Sequence, residues 1–116
     1  RNASVRFLTG HDMHGFHEQD WQALAKTNTI AAIYMGKKSA RFIQGRLLMH
    51  GADPKTPVSI VEYASQPNQR IIEARLDNLA ETLQAQTVSG PAHTLFGLAA
   101  RKAALQIEND HEKVSA

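Results

Sequence analysis

Polar and apolar positions along this chain alternate between a strand-like and a helix-like period. Ser4-Val5-Arg6-Phe7-Leu8 reads as a first strand ended by Thr9-Gly10, and the following His11 to His17 has no consistent period, which predicts a loop. From Glu18 the spacing of Trp21, Leu24 and Ala25 predicts a short helix with one apolar edge. Thr29-Ile30-Ala31-Ala32-Ile33-Tyr34-Met35-Gly36 joins an apolar run rich in β-branched and aromatic residues to a glycine. This is the pattern of a fully buried central strand running into a loop, with Thr27, Asn28 and Thr29 marking its start. Ser39 is placed to cap a second helix, whose apolar positions are Phe42, Ile43, Leu47 and Leu48 and whose C-terminal cap is Gly51.

Beyond that helix, Asp53-Pro54 and Thr56-Pro57 predict a turn into a strand from Val58 to Tyr63, followed by a polar loop from Ala64 to Asn68. Gln69 to Ala74 fits an exposed strand or extended segment. Leu76, Leu79, Ala80 and Leu83 form an i, i+3, i+4, i+7 stripe for a third helix, closed by Gly90-Pro91. His93 to Ala100 suits a last buried strand, although its alanines with Leu105 suit a helix equally well. Strands alternating with helices imply an α/β fold over residues 1–105, with 106–116 a polar tail that frays.

Composition narrows the chemistry. A chain of 116 residues with 42% hydrophobic content has the length and apolar share of one domain with a real core. The absence of cysteine excludes disulfides, thiolate zinc sites and thiol nucleophiles, and fits a reducing cytoplasm. Thirteen Lys and Arg against eleven Asp and Glu give a formal charge of +2, with the cations scattered, so neither nucleic acid nor a membrane surface is called for. No apolar run approaches the ~20 residues of a membrane span. The first residue is Arg1 and a strand begins almost at once, which suggests a piece of a longer chain.

Few constellations carry chemistry by themselves. Tyr34, Met35 and Gly36 fall at the carboxyl end of a strand, where α/β proteins bind ligands, against the plainer reading that Met35 fills a gap in the core. His11, His14 and His17, with Asp12 and Glu18, offer metal-ligand chemistry, but the spacing matches no helical zinc motif and Gly15 interrupts it, so a solvated loop is expected. Glu62, at a strand end, is expected to be solvated or ion-paired. Lys37, Lys38, Arg41 and Arg70 could gather at one edge and favour an anion, against the plainer reading of scattered surface cations. No nucleophile triad and no glycine-rich phosphate loop can be assembled from the seven glycines present.

A series of short motifs then stands out in order: Ser4-Val5-Arg6, Thr9-Gly10-His11, Asp20-Trp21, Leu24-Ala25, Thr29-Ile30, Tyr34-Met35-Gly36, His50-Gly51, Thr56-Pro57-Val58, Ile60-Val61-Glu62 and Gln69-Arg70. Over residues 1 to about 105 the chain resembles the C-terminal half of the uroporphyrinogen-III C-methyltransferases, tetrapyrrole methylases that also form the methylating module of sirohaem synthase. The resemblance implies the C-terminal domain of a two-domain enzyme, with a mixed β-sheet flanked by helices. It also implies a homodimer and S-adenosyl-L-methionine as methyl donor, bound between the halves.

The implied reaction methylates a tetrapyrrole ring carbon twice, giving precorrin-2 for sirohaem and cobalamin. Because the glycine-rich half is not in this sequence, the chain alone is not expected to be active. A precorrin methyltransferase and a non-catalytic α/β binding domain are the alternatives. Met35 matches the family's cofactor-contact methionine, with Tyr34 beside it. Ala64, next to Tyr63, matches the contact glycine of Val-Glu-Asn-Gly-Thr, which here reads Val61-Glu62-Tyr63-Ala64-Ser65. A backbone contact survives the change from glycine to alanine where φ is negative. His11 is the first residue expected against the carboxylate-rich substrate. No acid–base residue and no metal ligand are implied, since such a transfer depends on alignment and desolvation.

Overall fold

The computed structural model describes residues 5–26 and 28–98. Its elements run β1 (Val5–Thr9), α1 (Gly10–Met13), α2 (Glu18–Lys26), β2 (Thr29–Met35), α3 (Lys37–Met49), β3 (Pro57–Glu62), β4 (Arg70–Arg75), a 3-10 turn (Leu76–Asn78), α4 (Leu79–Ala85) and β5 (Ala92–Leu98). The expected tail at 106–116 and the expectations that fell on Ser4, Thr27, Ala99, Ala100 and Leu105 lie outside the described residues. The strands form one sheet in the order β1-β2-β5-β3-β4. β1 and β2 run parallel, while β5 is antiparallel to β2 and β3, and β3 to β4. The fold is therefore α/β with a mixed sheet.

One face of the sheet is buried and the other is open. Ala31, Ile33 and Met35 of β2, Val58 and Ile60 of β3, and Phe96 and Leu98 of β5 join Trp21, Leu24, Ile43, Leu47, Leu79 and Leu83 of the helices in one core. The next residues along the same strands turn away from it. Through the strand register Val5, Phe7, Ile30, Tyr34, Leu95 and Ile71 share the open face, with Phe7 81% exposed. The reading of Thr29–Met35 as a fully buried central strand is thus corrected. Its burial alternates residue by residue, and β5 occupies the centre of the sheet. The uninterrupted apolar run reflects an apolar open face rather than two covered faces.

Local chemistry explains the element ends, including three that differ from expectation. The segment after β1 opens as the one-turn helix α1, because the Thr9 hydroxyl accepts from the Asp12 backbone N–H at 3.1 Å and caps it. α3 starts after Gly36 and not after Ser39. It ends in a Schellman arrangement, with Gly51 at φ 96° and the Ala52 N–H donating to the Leu47 carbonyl. α4 stops well before Gly90-Pro91, because Thr87, at φ 56°, and Val88 turn back to bond the Gln84 and Leu83 carbonyls.

Candidate functional site

The carboxyl ends of β2 and β3 lie at one edge of the sheet, and the candidate residues are distributed along it. Met35 pairs with Ala92 of β5, and Val61 pairs with the neighbouring His93, so the end of β2 and the loop after β3 flank the start of β5. This brings Met35 and the Tyr63-Ala64-Ser65 loop, distant in sequence, to the same edge. Met35 is only 5% exposed and belongs to the core at its rim. Gly36, immediately after it, has open space where a side chain would project. Tyr34 lies on the opposite, open face, its ring 4.9 Å from that of His93. The adjacent residues Tyr34 and Met35 therefore serve different surfaces, as strand geometry requires.

The β1 end of the edge is built on a close approach. A Cβ on Gly10 would sit 2.7 Å from the Ser39 Cβ and 3.1 Å from the Met35 Cβ, so the Thr9-Gly10-His11 turn packs directly on β2 and α3 because residue 10 has no side chain. His11 follows, exposed in α1. The other histidines are engaged separately. His14 stacks on Phe42 at 4.3 Å with Nε2 3.2 Å from the Ser39 hydroxyl, and the His17 backbone N–H donates to Asp20. No group of three potential metal ligands forms among the described residues.

Glu62 is buried and paired. It accepts from Arg70 Nε at 2.7 Å, and Arg70 Nη2 also donates to the Gln86 carbonyl at 2.9 Å, tying the end of β3 and the start of β4 to the end of α4. The intervening loop carries two non-glycine residues with left-handed backbone, Tyr63 at φ 52° and Ser65 at φ 66°. Ala64, between them, is not among the positive-φ residues. Backbone held in such sparsely populated conformations clusters at ligand-binding positions. Gln69 supports the loop by accepting the Ser65 N–H at 2.8 Å.

Lys37, Lys38 and Arg41 do gather, lining a groove of about 530 Å³ with Phe42, Ala80 and Gln84. Arg70 is committed to Glu62 and lies outside it. Sequence reasoning missed the stacking of His14 on Phe42 and the neighbouring Tyr34 and His93, because both pairs form between separate elements. The cap of α1 was missed as well, and its local signal is the Thr9-x-x-Asp12 spacing.

Comparison with known proteins identifies the fold and the family. Residues 1–80 match the family model of the tetrapyrrole (corrin/porphyrin) methylases. A siroheme synthase of Pseudoalteromonas translucida is 42% identical over 94 residues, 81% of this chain and 20% of that protein. One from Hydrogenovibrio crunogenus is 36% identical with the same coverage. The chain thus spans about a fifth of the length of the curated relatives it matches. Among solved structures, uroporphyrin-III C-methyltransferase of Thermus thermophilus in complex with S-adenosylhomocysteine superposes with a TM-score of 0.64 at 29% identity, covering 84% of this chain and 43% of that one. A cobalt precorrin-4 methyltransferase shares the fold, with a TM-score of 0.68 at 19% identity over 80% of this chain and 39% of that one. With the family model matched over residues 1–80 and relatives 36–42% identical over 81% of its length, the chain belongs to the tetrapyrrole (corrin/porphyrin) methylase family.

Proposed function

We propose that this chain is the C-terminal half of an S-adenosyl-L-methionine-dependent uroporphyrinogen-III C-methyltransferase. Convergence carries the reading: the two positions that the resemblance assigns to the cofactor, Met35 and Ala64, reach the same edge of the sheet from different strands. The residues there suit such a ligand. The rim thioether of Met35 offers a polarisable surface to an adenine ring, the space beside Gly36 admits close approach to backbone, and Ala64, without positive φ, keeps the backbone contact its glycine counterpart makes. S-adenosylmethionine, when bound, supplies a methyl group activated on a sulfonium.

This chain's share of the work is to bind and orient. Met35 and the Tyr63-Ala64 turn form one wall of a cleft whose other wall is the preceding half of the enzyme, Tyr34 borders it from the open face, and His11 donates to a substrate carboxylate. The likeness to siroheme synthases and to a uroporphyrin-III C-methyltransferase supports this substrate. The reading carries two transfers to ring carbons, giving precorrin-2 for sirohaem and cobalamin, in the cytoplasm. It also carries a homodimer, supported by the open sheet face on which Val5, Phe7 and Ile30 are exposed.

Methyl transfer from radiolabelled S-adenosylmethionine to uroporphyrinogen III tests the reading. The polypeptide containing both halves should yield a doubly methylated product, and this chain alone none. A two-half polypeptide that methylates no tetrapyrrole would sink it.

A further inference from the structure

We propose that the groove between the start of α3 and α4 is an anion subsite that takes a carboxylate-bearing arm of the substrate. The identity of the ligand rests on the methyltransferase reading, whereas the existence of the site rests on the groove itself. Lys37, Lys38 and Arg41 contribute three positive charges to a space of about 530 Å³ in which Gln84 is the other polar lining residue and no carboxylate takes part. Among the described residues no Asp or Glu pairs with any of the three.

Their placement is unfavourable for the helix itself. Lys37 and Lys38 occupy the first turn of α3, which has no acidic residue, so they oppose the positive end of the helix dipole. Arg41 lies four residues from one and three from the other, spacings at which like charges on a helix repel. Such crowding is relieved when an anion enters. The wall is also preset: Phe42 is fixed by His14 stacked at 4.3 Å and by the Arg46 guanidinium 5.2 Å from its centroid.

Position and charge select the ligand. α3 begins directly after Met35-Gly36, and Arg70, at the start of β4, bonds both the Gln86 carbonyl at the end of α4 and Glu62 at the end of β3. The groove therefore opens at the edge where the methyl donor is proposed to lie. Its three cations, with no carboxylate in the lining, suit an acid arm reaching in from that edge. Arg41 can bind a carboxylate as a two-pronged fork, while the lysines act as point charges beside it.

Titration of the chain with uroporphyrin III, followed by its absorbance, tests the site, with inorganic phosphate titrated separately. The variant Lys37→Gln/Lys38→Gln/Arg41→Gln should weaken porphyrin binding by about tenfold or more, Gln84→Lys should tighten it several-fold, and Lys26→Gln, on α2, should leave it unchanged. Circular dichroism verifies that each variant is folded. The proposal is overturned if the native chain does not bind the porphyrin, or if the triple variant, folded, binds as the native chain does, which would place the porphyrin elsewhere. It is also overturned if phosphate binds as tightly as the porphyrin, which would make the groove a generic anion site. Loss of the methyl transfer described above with groove binding intact would count against the methyltransferase reading alone. Intact methyl transfer with an indifferent triple variant would count against the groove alone.

Discussion

His50 and Glu18 join the end of α3 to the start of α2 through a contact that needs a proton. His50 Nε2 lies 2.7 Å from the Glu18 carboxylate, while Nδ1 lies 2.7 Å from the Arg46 carbonyl oxygen. Both partners are acceptors, so both ring nitrogens donate only when the imidazole is charged. The bond to the Arg46 carbonyl does most to raise the His50 pKa, followed by the bond to Glu18, and together they outweigh the burial that lowers it.

This fixes a pH dependence. Because the folded-state pKa lies above the ordinary value of 6.5, the contact contributes its full stability below that value and loses it as pH rises through the folded pKa. Thermal unfolding followed by circular dichroism from about pH 5.5 to about pH 9 should show the melting temperature falling with pH. Glu18→Gln should flatten the slope. An equal slope in the variant would remove Glu18 from the effect.

Gly10 is held to glycine by contact rather than by backbone angle. Gly10→Ala places a Cβ 2.7 Å from the Ser39 Cβ, and the overpacking should cost about 1–3 kcal/mol in urea unfolding. Ser39→Gly in the same chain should restore most of the loss. Failure of the second change to compensate would point to a different cause.

Met35 sits at the rim of the core and at the proposed cofactor edge, and two substitutions separate these roles. Met35→Ala should destabilise the chain by about 2–5 kcal/mol through the cavity it leaves. Met35→Leu, close in volume, should stay within about 1.5 kcal/mol of the native chain. In the two-half polypeptide, S-adenosylhomocysteine binding that weakens in the leucine variant would assign the thioether to the cofactor. Unchanged binding would assign it to the core.

Tyr63 carries a side chain where the backbone is left-handed. Tyr63→Gly should raise the urea midpoint by the equivalent of about 0.5–1 kcal/mol, while Ala64→Gly should not stabilise. A gain at residue 64 instead would show that the strain lies there.

The open sheet face should mediate self-association. Phe7→Lys, at the most exposed apolar position of the face, should shift the sedimentation of the chain from dimer toward monomer. A native chain that sediments as a monomer at every concentration would remove this face as a dimer surface.

Local pattern was enough for most of the elements and for the family. Trp21, Leu24 and Ala25 on α2, and Leu76, Leu79 and Leu83 around α4, announced their helices by periodicity, and the Gly51 terminator was legible because a helix end is a local matter of backbone angle. The motifs around Tyr34-Met35-Gly36 were likewise short and contiguous. Tertiary structure alone decided what lies far apart in the chain. A run such as Ile30 to Met35 is apolar on both sides whether one face or two are covered, so only packing reveals that Tyr34 meets the open face and Met35 the core. Likewise, no local pattern states that β5 inserts between β2 and β3, because strand pairing is long-range. That insertion brings Met35 and Ala64 to one edge, and the packing of α4 against α3 sets Ala80 and Gln84 opposite Lys37, Lys38 and Arg41 to make a groove, while Arg70 pairs instead with the buried Glu62.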